Sequence, residues 1–85
     1  MSKALLSVEI TMYPLQDNYL PKIQAFIEQL AATSAVKRQT FPTCTVLTGE
    51  HDEVMTLLSD MLKWSHEMLG KAVFVAKFLP GYEAL

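Results

Sequence analysis

Residues 4–14 read ALLSVEITMYP, and this stretch decides the fold. Apolar and polar side chains alternate along it from Ala4 to Tyr13, which predicts a strand with one buried, apolar face. Its apolar positions are Leu6, Val8, Ile10 and Met12, and its polar positions are Ser7, Glu9 and Thr11. Pro14 is expected to close the strand, because proline cannot donate a hydrogen bond to a neighbouring strand.

A helix is predicted after this strand. Residues 16–18, QDN, supply side chains of the kind that cap helices. Pro21 fits a first helical turn, where an amide hydrogen has no helical partner in any case. Apolar side chains then recur at helical spacing from Leu20 to Leu30, and we expect the helix to end near Thr33–Ser34.

Two short extended segments are predicted next, Val36–Thr40 and Cys44–Thr48. Pro42 lies between them and biases its predecessor, Phe41, toward extended geometry. Gly49 is expected to mark the end of the second segment. The pattern is typical of two strands joined by a turn.

A second amphipathic helix and a last strand complete the chain. Asp52 and Glu53 favour the start of the helix, and Gly70 provides a terminus without a side chain. The segment Lys71–Leu79 is an apolar run broken only by Lys77. We expect it to form a strand that is apolar on both faces.

The order β-α-β-β-α-β predicts an α+β, ferredoxin-like sandwich, in which two helices cover one face of a four-stranded antiparallel sheet. One such domain accounts for residues 1–85. We expect the first and last strands to lie side by side at the centre of the sheet, flanked by the two middle strands.

The two faces of the last strand are expected to differ. Phe74 and Phe78 are placed beneath the helices, which leaves Val73, Val75 and Lys77 on the other face. Because that face mixes branched apolar with polar side chains, we predict self-association to a dimer or tetramer in which sheets or their edges meet.

The composition limits the choice of partners. The 85 residues are 51% apolar and carry 7 basic against 9 acidic side chains, a net charge of −2. Nucleic acid is not expected as a partner, because its binding rests on neutralising phosphates. We find no pattern of a signal peptide or membrane span, and the single cysteine, Cys44, cannot form an internal disulfide. A cytoplasmic protein without a membrane partner is therefore expected.

Residues 40–45, TFPTCT, concentrate hydroxyls and a thiol at a turn that enters a strand. Such hydroxyls would bind a neutral heterocycle, or they simply suit a strand. Cys44 would be a nucleophile only if a base such as His51 or His66 activated it, and a structural cysteine is the simpler interpretation. Cys44, His51 and His66 lack the spacing of a metal site, so no metal is predicted. No cofactor and no catalytic residue are predicted either.

Glu9 stands in the middle of a predicted central strand, where an unpaired, covered carboxylate is costly. Three interpretations stay open for it. It faces water, it pairs with Lys77 across the strands, or it holds the amine of a ligand.

Four stretches resemble the YkoF-related family: VEITMYPL at 8–15, YLPKIQAFI at 19–27, GEHDEVM at 49–55 and GKAVFV at 70–75. They fall in order across nearly the whole chain, and together they are fairly specific. The resemblance implies ferredoxin-like domains that oligomerise. It also implies non-enzymatic binding of thiamine, chiefly through the hydroxymethylpyrimidine moiety, for transport, salvage or sequestration.

The resemblance implies a site as well. The binding segment of the family typically reads N-P-M-S-T, and residues 41–45, FPTCT, occupy its place here. A thiol, which is a poorer hydrogen-bonding group than a hydroxyl, thus stands where the family has serine. The ligand-binding residues implied in this way are Glu9, Thr11, Tyr13, Thr43, Cys44 and Thr45.

The residues implied for the site differ in chemistry. The threonine hydroxyls would meet the polar edge of an aminopyrimidine, Glu9 would accept from its amine, and Tyr13 or Trp64 would cover the ring. Two other functions stay open. One is a structural or regulatory homo-oligomer with no retained thiamine site, and the other is a small enzyme acting through Cys44 and a histidine.

Overall fold

The computed structural model describes residues 4–32 and 36–85. The elements follow the predicted order: β1 (Leu5–Pro14), α1 (Tyr19–Ala31), β2 (Lys37–Thr40), β3 (Thr45–Glu50), α2 (His51–Leu69) and β4 (Ala72–Pro80). This order confirms the α+β, ferredoxin-like architecture. The predicted end of the first helix near Thr33–Ser34 lies outside the described residues.

The four strands form one antiparallel sheet in the order β2-β3-β1-β4. The prediction that the first and last strands pair is confirmed, but the prediction that both are central is wrong. The centre is formed by β1 and β3, and β4 is an edge strand. The physical reason is visible in β2, whose residues KRQT are polar and mostly exposed, as suits a strand at the other edge.

The apolar side chains of β1 lie beneath the helices, as the alternation predicts. The register places Val8 between Leu47 of β3 and Phe78 of β4, so these side chains share that face. The ring centroids of Phe26 in α1 and Phe74 in β4 lie 5.1 Å apart. The buried core is formed by Leu6, Val8, Ile10, Met12, Phe26, Leu30, Val36, Leu47, Val54, Leu58 and Met61.

The opposite face of the sheet is partly covered by the residues that follow β4. Ser7 points to this face yet is fully buried. Its Oγ donates to the carbonyl of Tyr82 at 2.5 Å and accepts from the amide of Ala84 at 3.0 Å. Since its one proton is used in this way, the hydroxyl of Thr48 donates to it at 2.8 Å. The C-terminal segment is therefore fastened to the middle of the sheet.

The second helix begins directly after the third strand, without a loop. The prediction that Gly49 marks a strand end is wrong, because β3 continues through it to Glu50. The Glu50 carboxylate then caps α2 by accepting from the amides of Asp52 at 2.9 Å and Glu53 at 3.3 Å. Gly70 ends this helix, as predicted, with a positive φ of 89°.

The segment before α1 does not cap that helix with a side chain. Asn18 is the N-cap residue, but its side chain makes no capping hydrogen bond. Instead, the Gln16 amide and the Lys22 ammonium both donate to the carbonyl of Leu69, each at 3.1 Å. Gln16, one of the three polar residues that predicted the start of the first helix, therefore helps to satisfy the end of the second. Among the described helices, none is long and apolar enough to cross a membrane.

Candidate functional site

A cavity of about 380 Å³ lies between the first helix and one end of the sheet. Three segments form its wall: the C-terminal half of β1, one side of α1, and the β2–β3 hairpin with its loop at residues 41–44. Pockets for small ligands in proteins are typically of this size, about 300–1,000 Å³. The cavity is the candidate site.

Two hydrogen bonds fix the hairpin loop, one within the loop and one to the first strand. The amide of Phe41 donates to the carbonyl of Cys44 at 2.7 Å, which closes the loop on itself. The hydroxyl of Thr11 in β1 donates to the carbonyl of Thr43 at 3.0 Å. The second bond fixes the loop relative to the sheet.

A pair of hydroxyls lines the cavity where the hairpin leaves the loop. Thr40 and Thr45 are opposite each other in the β2–β3 register, and their Oγ1 atoms are 3.2 Å apart. Thr45 is buried, with 4% of its surface exposed. One proton lies between the two oxygens, so the pair keeps a further donor and further acceptor lone pairs. These are the groups that the polar edge of a heterocycle requires.

The remaining wall is apolar and aromatic. Phe26 in α1 is buried in the core and forms part of the lining, together with Ile23. Tyr13, Tyr19 and Phe41 also line the cavity, and each is about half exposed. Flat apolar surfaces beside a few polar groups are typical of sites for aromatic ligands.

Five of the six residues predicted for the site line this cavity: Thr11, Tyr13, Thr43, Cys44 and Thr45. The sixth, Glu9, does not. Its Oε1 lies 3.6 Å from the Nζ of Lys77, which is its register partner in β4. Of the three interpretations of Glu9, the structure therefore shows the cross-strand ion pair. Trp64 packs against the core and does not line the cavity either.

Among the described residues, the lining holds no acid, lysine, arginine or histidine. Cys44 is half-buried and lines the cavity, whereas His51 is hydrogen-bonded to Asp52, Nδ1 to Oδ1 at 3.0 Å, at the exposed start of α2. Neither histidine therefore lies in the cavity with the thiol. Within residues 4–32 and 36–85, no group of three His, Cys, Asp or Glu side chains is arranged to hold a metal ion.

Sequence reasoning missed the helical part of the wall. Tyr19, Ile23, Phe26 and Ile27 belong to a stripe at helical spacing, and such a stripe usually means core. Their dual role, core on one side and cavity wall on the other, depends on how far the hairpin stands from α1. No periodicity encodes that distance.

Comparisons with solved structures agree on the fold. A protein of Streptococcus pneumoniae is 27% identical, with a TM-score of 0.72 over 88% of this chain and 84% of that one. A Thermotoga maritima protein assigned provisionally to thiamine biosynthesis or salvage is 17% identical, with a TM-score of 0.70 over 94% and 85%. A hypothetical protein of Methanocaldococcus jannascii is 19% identical, with a TM-score of 0.73 over 88% and 78%.

The sequence itself settles the family. No protein with curated annotation matches the chain. The model of the YkoF-related family, however, matches residues 6–75, which include all six strands and helices in whole or in part. The chain belongs to the YkoF-related family.

Proposed function

We propose that this chain binds thiamine or its hydroxymethylpyrimidine moiety, reversibly and without catalysis, in the cavity between α1 and the β2–β3 hairpin. The observation that carries the proposal is the cavity itself, which joins the Thr40–Thr45 hydroxyl pair to aromatic walls. Membership of the family and the fold shared with the T. maritima protein support a thiamine-related role.

The chemistry of the wall fits an aminopyrimidine. Such a ring is flat and apolar on its faces, and it carries an amine donor and ring-nitrogen acceptors at its edge. The hydroxyls of Thr40 and Thr45 offer one donor and several acceptors for this edge, while Phe26 and Ile23 offer surface for the faces.

The absence of charged side chains from the lining bears on the rest of the ligand. The described part of the wall offers no carboxylate to the cationic thiazolium of thiamine. Tyr13 and Tyr19 lie in the wall with about half of their surface exposed, and their rings can face a cation. Recognition should therefore rest on the pyrimidine, with the thiazolium toward solvent.

A binding protein is favoured over an enzyme because the described residues of the lining include no carboxylate or histidine that could act as a general base for the Cys44 thiol. We further propose that the protein is cytoplasmic, where a free thiol stays reduced, and that it serves transport, salvage or sequestration. Self-association to a dimer or tetramer is part of the same proposal. It is supported by the exposed apolar side chains of β4.

A structural or regulatory homo-oligomer without a thiamine site is the second candidate. The observation that favours it is Cys44, which stands in the binding segment where the family typically has serine. On this alternative the cavity is a remnant and the protein acts only through its subunit contacts.

Ligand-dependent melting separates the two candidates. Hydroxymethylpyrimidine or thiamine at about a hundred times its Kd should stabilise the fold by about 2.7 kcal/mol. The thiazole half of thiamine, at the same concentration, is the matched control and should leave the melting temperature unchanged. A melting temperature that is unchanged by all three compounds would favour the structural alternative.

A further inference from the structure

The first strand extends further than its neighbour β3 at the end beside the cavity. The pairing of β1 with β3 stops at Ile10, which faces Thr45, whereas the pairing of β1 with β4 continues to Pro14. Residues 11–14 therefore have a neighbouring strand on one side only. On the other side lie the hairpin loop and the cavity, and all four of these residues belong to the cavity lining.

Hydrogen bonds near the start of β1 show which of its backbone groups point to that side. The amide of Gly81 donates to the carbonyl of Leu5 at 2.7 Å, and the amide of His51 donates to the carbonyl of Ala4 at 2.8 Å. Backbone groups alternate in direction along a strand, and the register with β4 is unbroken as far as Pro14. Odd-numbered residues of β1 therefore point their amides and carbonyls to β4, and even-numbered residues point theirs to the β3 side.

Met12 is the even-numbered residue whose amide and carbonyl both face the gap. In a continued ladder its partner after the Ile10–Thr45 pair would be Thr43. Thr43 instead lies in the bend of the hairpin, and its carbonyl accepts from the Thr11 hydroxyl. In the described part of the chain, neither backbone group of Met12 has a partner on this side, although only 7% of the residue is exposed. A buried donor and acceptor of this kind are costly to leave unpaired, so they are groups for a ligand to satisfy.

The missing partner defines what fits beside Met12. A residue of a neighbouring strand would offer it a carbonyl acceptor and an amide donor side by side. An aminopyrimidine offers the same pattern, because its ring nitrogen accepts and the adjacent amine donates. A peptide strand fits less well, because Pro14, the next position of this row, has no amide hydrogen and the Thr11–Thr43 bond ties the loop to β1.

We propose that the amide and carbonyl of Met12 bind the ring nitrogen and the adjacent amine of the pyrimidine, so that the ligand takes the place of the missing residue of β3. This inference rests on the proposed function and deepens it by naming the group that recognises the aminopyrimidine. The second ring nitrogen and the hydroxymethyl group are then left for the Thr40–Thr45 hydroxyls. Because Met12 acts through its backbone, this contact does not depend on whether cysteine or serine stands at position 44.

Nuclear magnetic resonance tests the contact on the wild-type protein. With the heavy nitrogen isotope in both the protein and hydroxymethylpyrimidine, a scalar coupling across the hydrogen bond should join the Met12 amide nitrogen to a ring nitrogen. The amide proton of Met12 should also move downfield during the titration. Ile10 is the internal control, because its amide lies on the same side of β1 but faces Thr45 in the ladder, so it should show no coupling to the ligand.

Altered ligands test the carbonyl of Met12. A pyrimidine that lacks only the amine leaves this carbonyl without a donor, so its affinity should be lower by at least about tenfold. An analogue that lacks only the ring methyl group is the matched control, since it keeps both hydrogen bonds. It should bind at most about fourfold more weakly, as expected for the loss of one buried methyl group.

The outcomes separate this contact from the function on which it rests. A coupling to Met12, together with the weaker binding of the ligand without an amine, would support the contact. Calorimetric binding of hydroxymethylpyrimidine without a coupling or shift at Met12, or with equal affinity when the amine is removed, would overturn the contact and leave the proposed function in place. If hydroxymethylpyrimidine does not bind at all, the proposed function fails and the contact with it.

Discussion

Thr40 and Thr45 face each other across the β2–β3 hairpin, with their Oγ1 atoms 3.2 Å apart on the wall of a largely apolar cavity. On a fully solvated surface, such a pair of hydroxyls would be an ordinary contact. Beside Phe26, where water is partly excluded, an incoming polar edge would find few other partners. The account of the site therefore depends on this pair more than on any other contact.

Replacing Thr45 by valine removes one hydroxyl and nearly keeps the shape of the side chain. We expect the affinity for hydroxymethylpyrimidine to fall about tenfold, since a lost hydrogen bond is worth about 1–1.5 kcal/mol. Calorimetric titration measures the change. Glu9→Gln is the control, because Glu9 pairs with Lys77 and does not line the cavity. An affinity lowered by Glu9→Gln and not by Thr45→Val would contradict this site.

Cys44→Ser should strengthen binding severalfold. A hydroxyl is a better donor and acceptor than a thiol, and Cys44 lines the cavity. Cys44→Ala serves as the comparison, because it removes the polar atom altogether. Titration with the same ligand should give the highest affinity for the protein with serine at position 44. The affinity of the protein with cysteine should equal or exceed that of the alanine variant. A serine variant that binds no better than alanine would show that position 44 does not contact the ligand.

Ser7→Ala should destabilise the fold by about 1–3 kcal/mol, because it leaves buried polar groups without partners. The Ser7 hydroxyl contacts Thr48, Tyr82 and Ala84 at once. Urea denaturation measures the loss in free energy of unfolding. Because the amide of Ala84 also loses its acceptor, its hydrogen should exchange faster with solvent. Ser59→Ala, at an exposed position of α2, is the matched control and should be neutral or slightly stabilising. Equal stability of the two variants would refute the anchoring of the C-terminal segment.

Gly70→Ala should destabilise more than Gly81→Ala. Both glycines have positive φ, 89° and 77°, so alanine is strained at either. The ψ of −155° also places Gly70 in a backbone region that is essentially restricted to glycine, where alanine costs about 1–3 kcal/mol. A Cβ at Gly70 would in addition displace the flexible Gln16 side-chain amide, which donates to Leu69, whereas at Gly81 it would meet open space. Thermal unfolding of the two variants measures the difference. Equal losses would mean that neither the backbone geometry at Gly70 nor the Gln16 contact adds to the cost.

Much of the fold follows from local patterns in the sequence. The alternation around Val8 fixed the strand and its buried face, and Gly70 marked a helix end correctly. The place of β4 at the edge was missed, because periodicity describes the faces of a strand and not its neighbours. Gly49 was misassigned since a glycine inside a strand resembles one that ends it.

The candidate site was predictable only on its strand side. The loop residues of TFPTCT and Tyr13 carried chemical signals and do meet at the cavity. The wall formed by α1 carried none beyond ordinary amphipathicity. Glu9 was open to a ligand or to an ion pair from its chemistry, and the strand register pairs it with Lys77.

The most direct measurement of the central claim is calorimetric titration of the purified protein with thiamine and, separately, with hydroxymethylpyrimidine. The account predicts saturable binding of both with similar affinity, because only the pyrimidine half is expected to enter a cavity lined, among the described residues, by uncharged side chains. Binding of neither, or of thiamine alone, would contradict it.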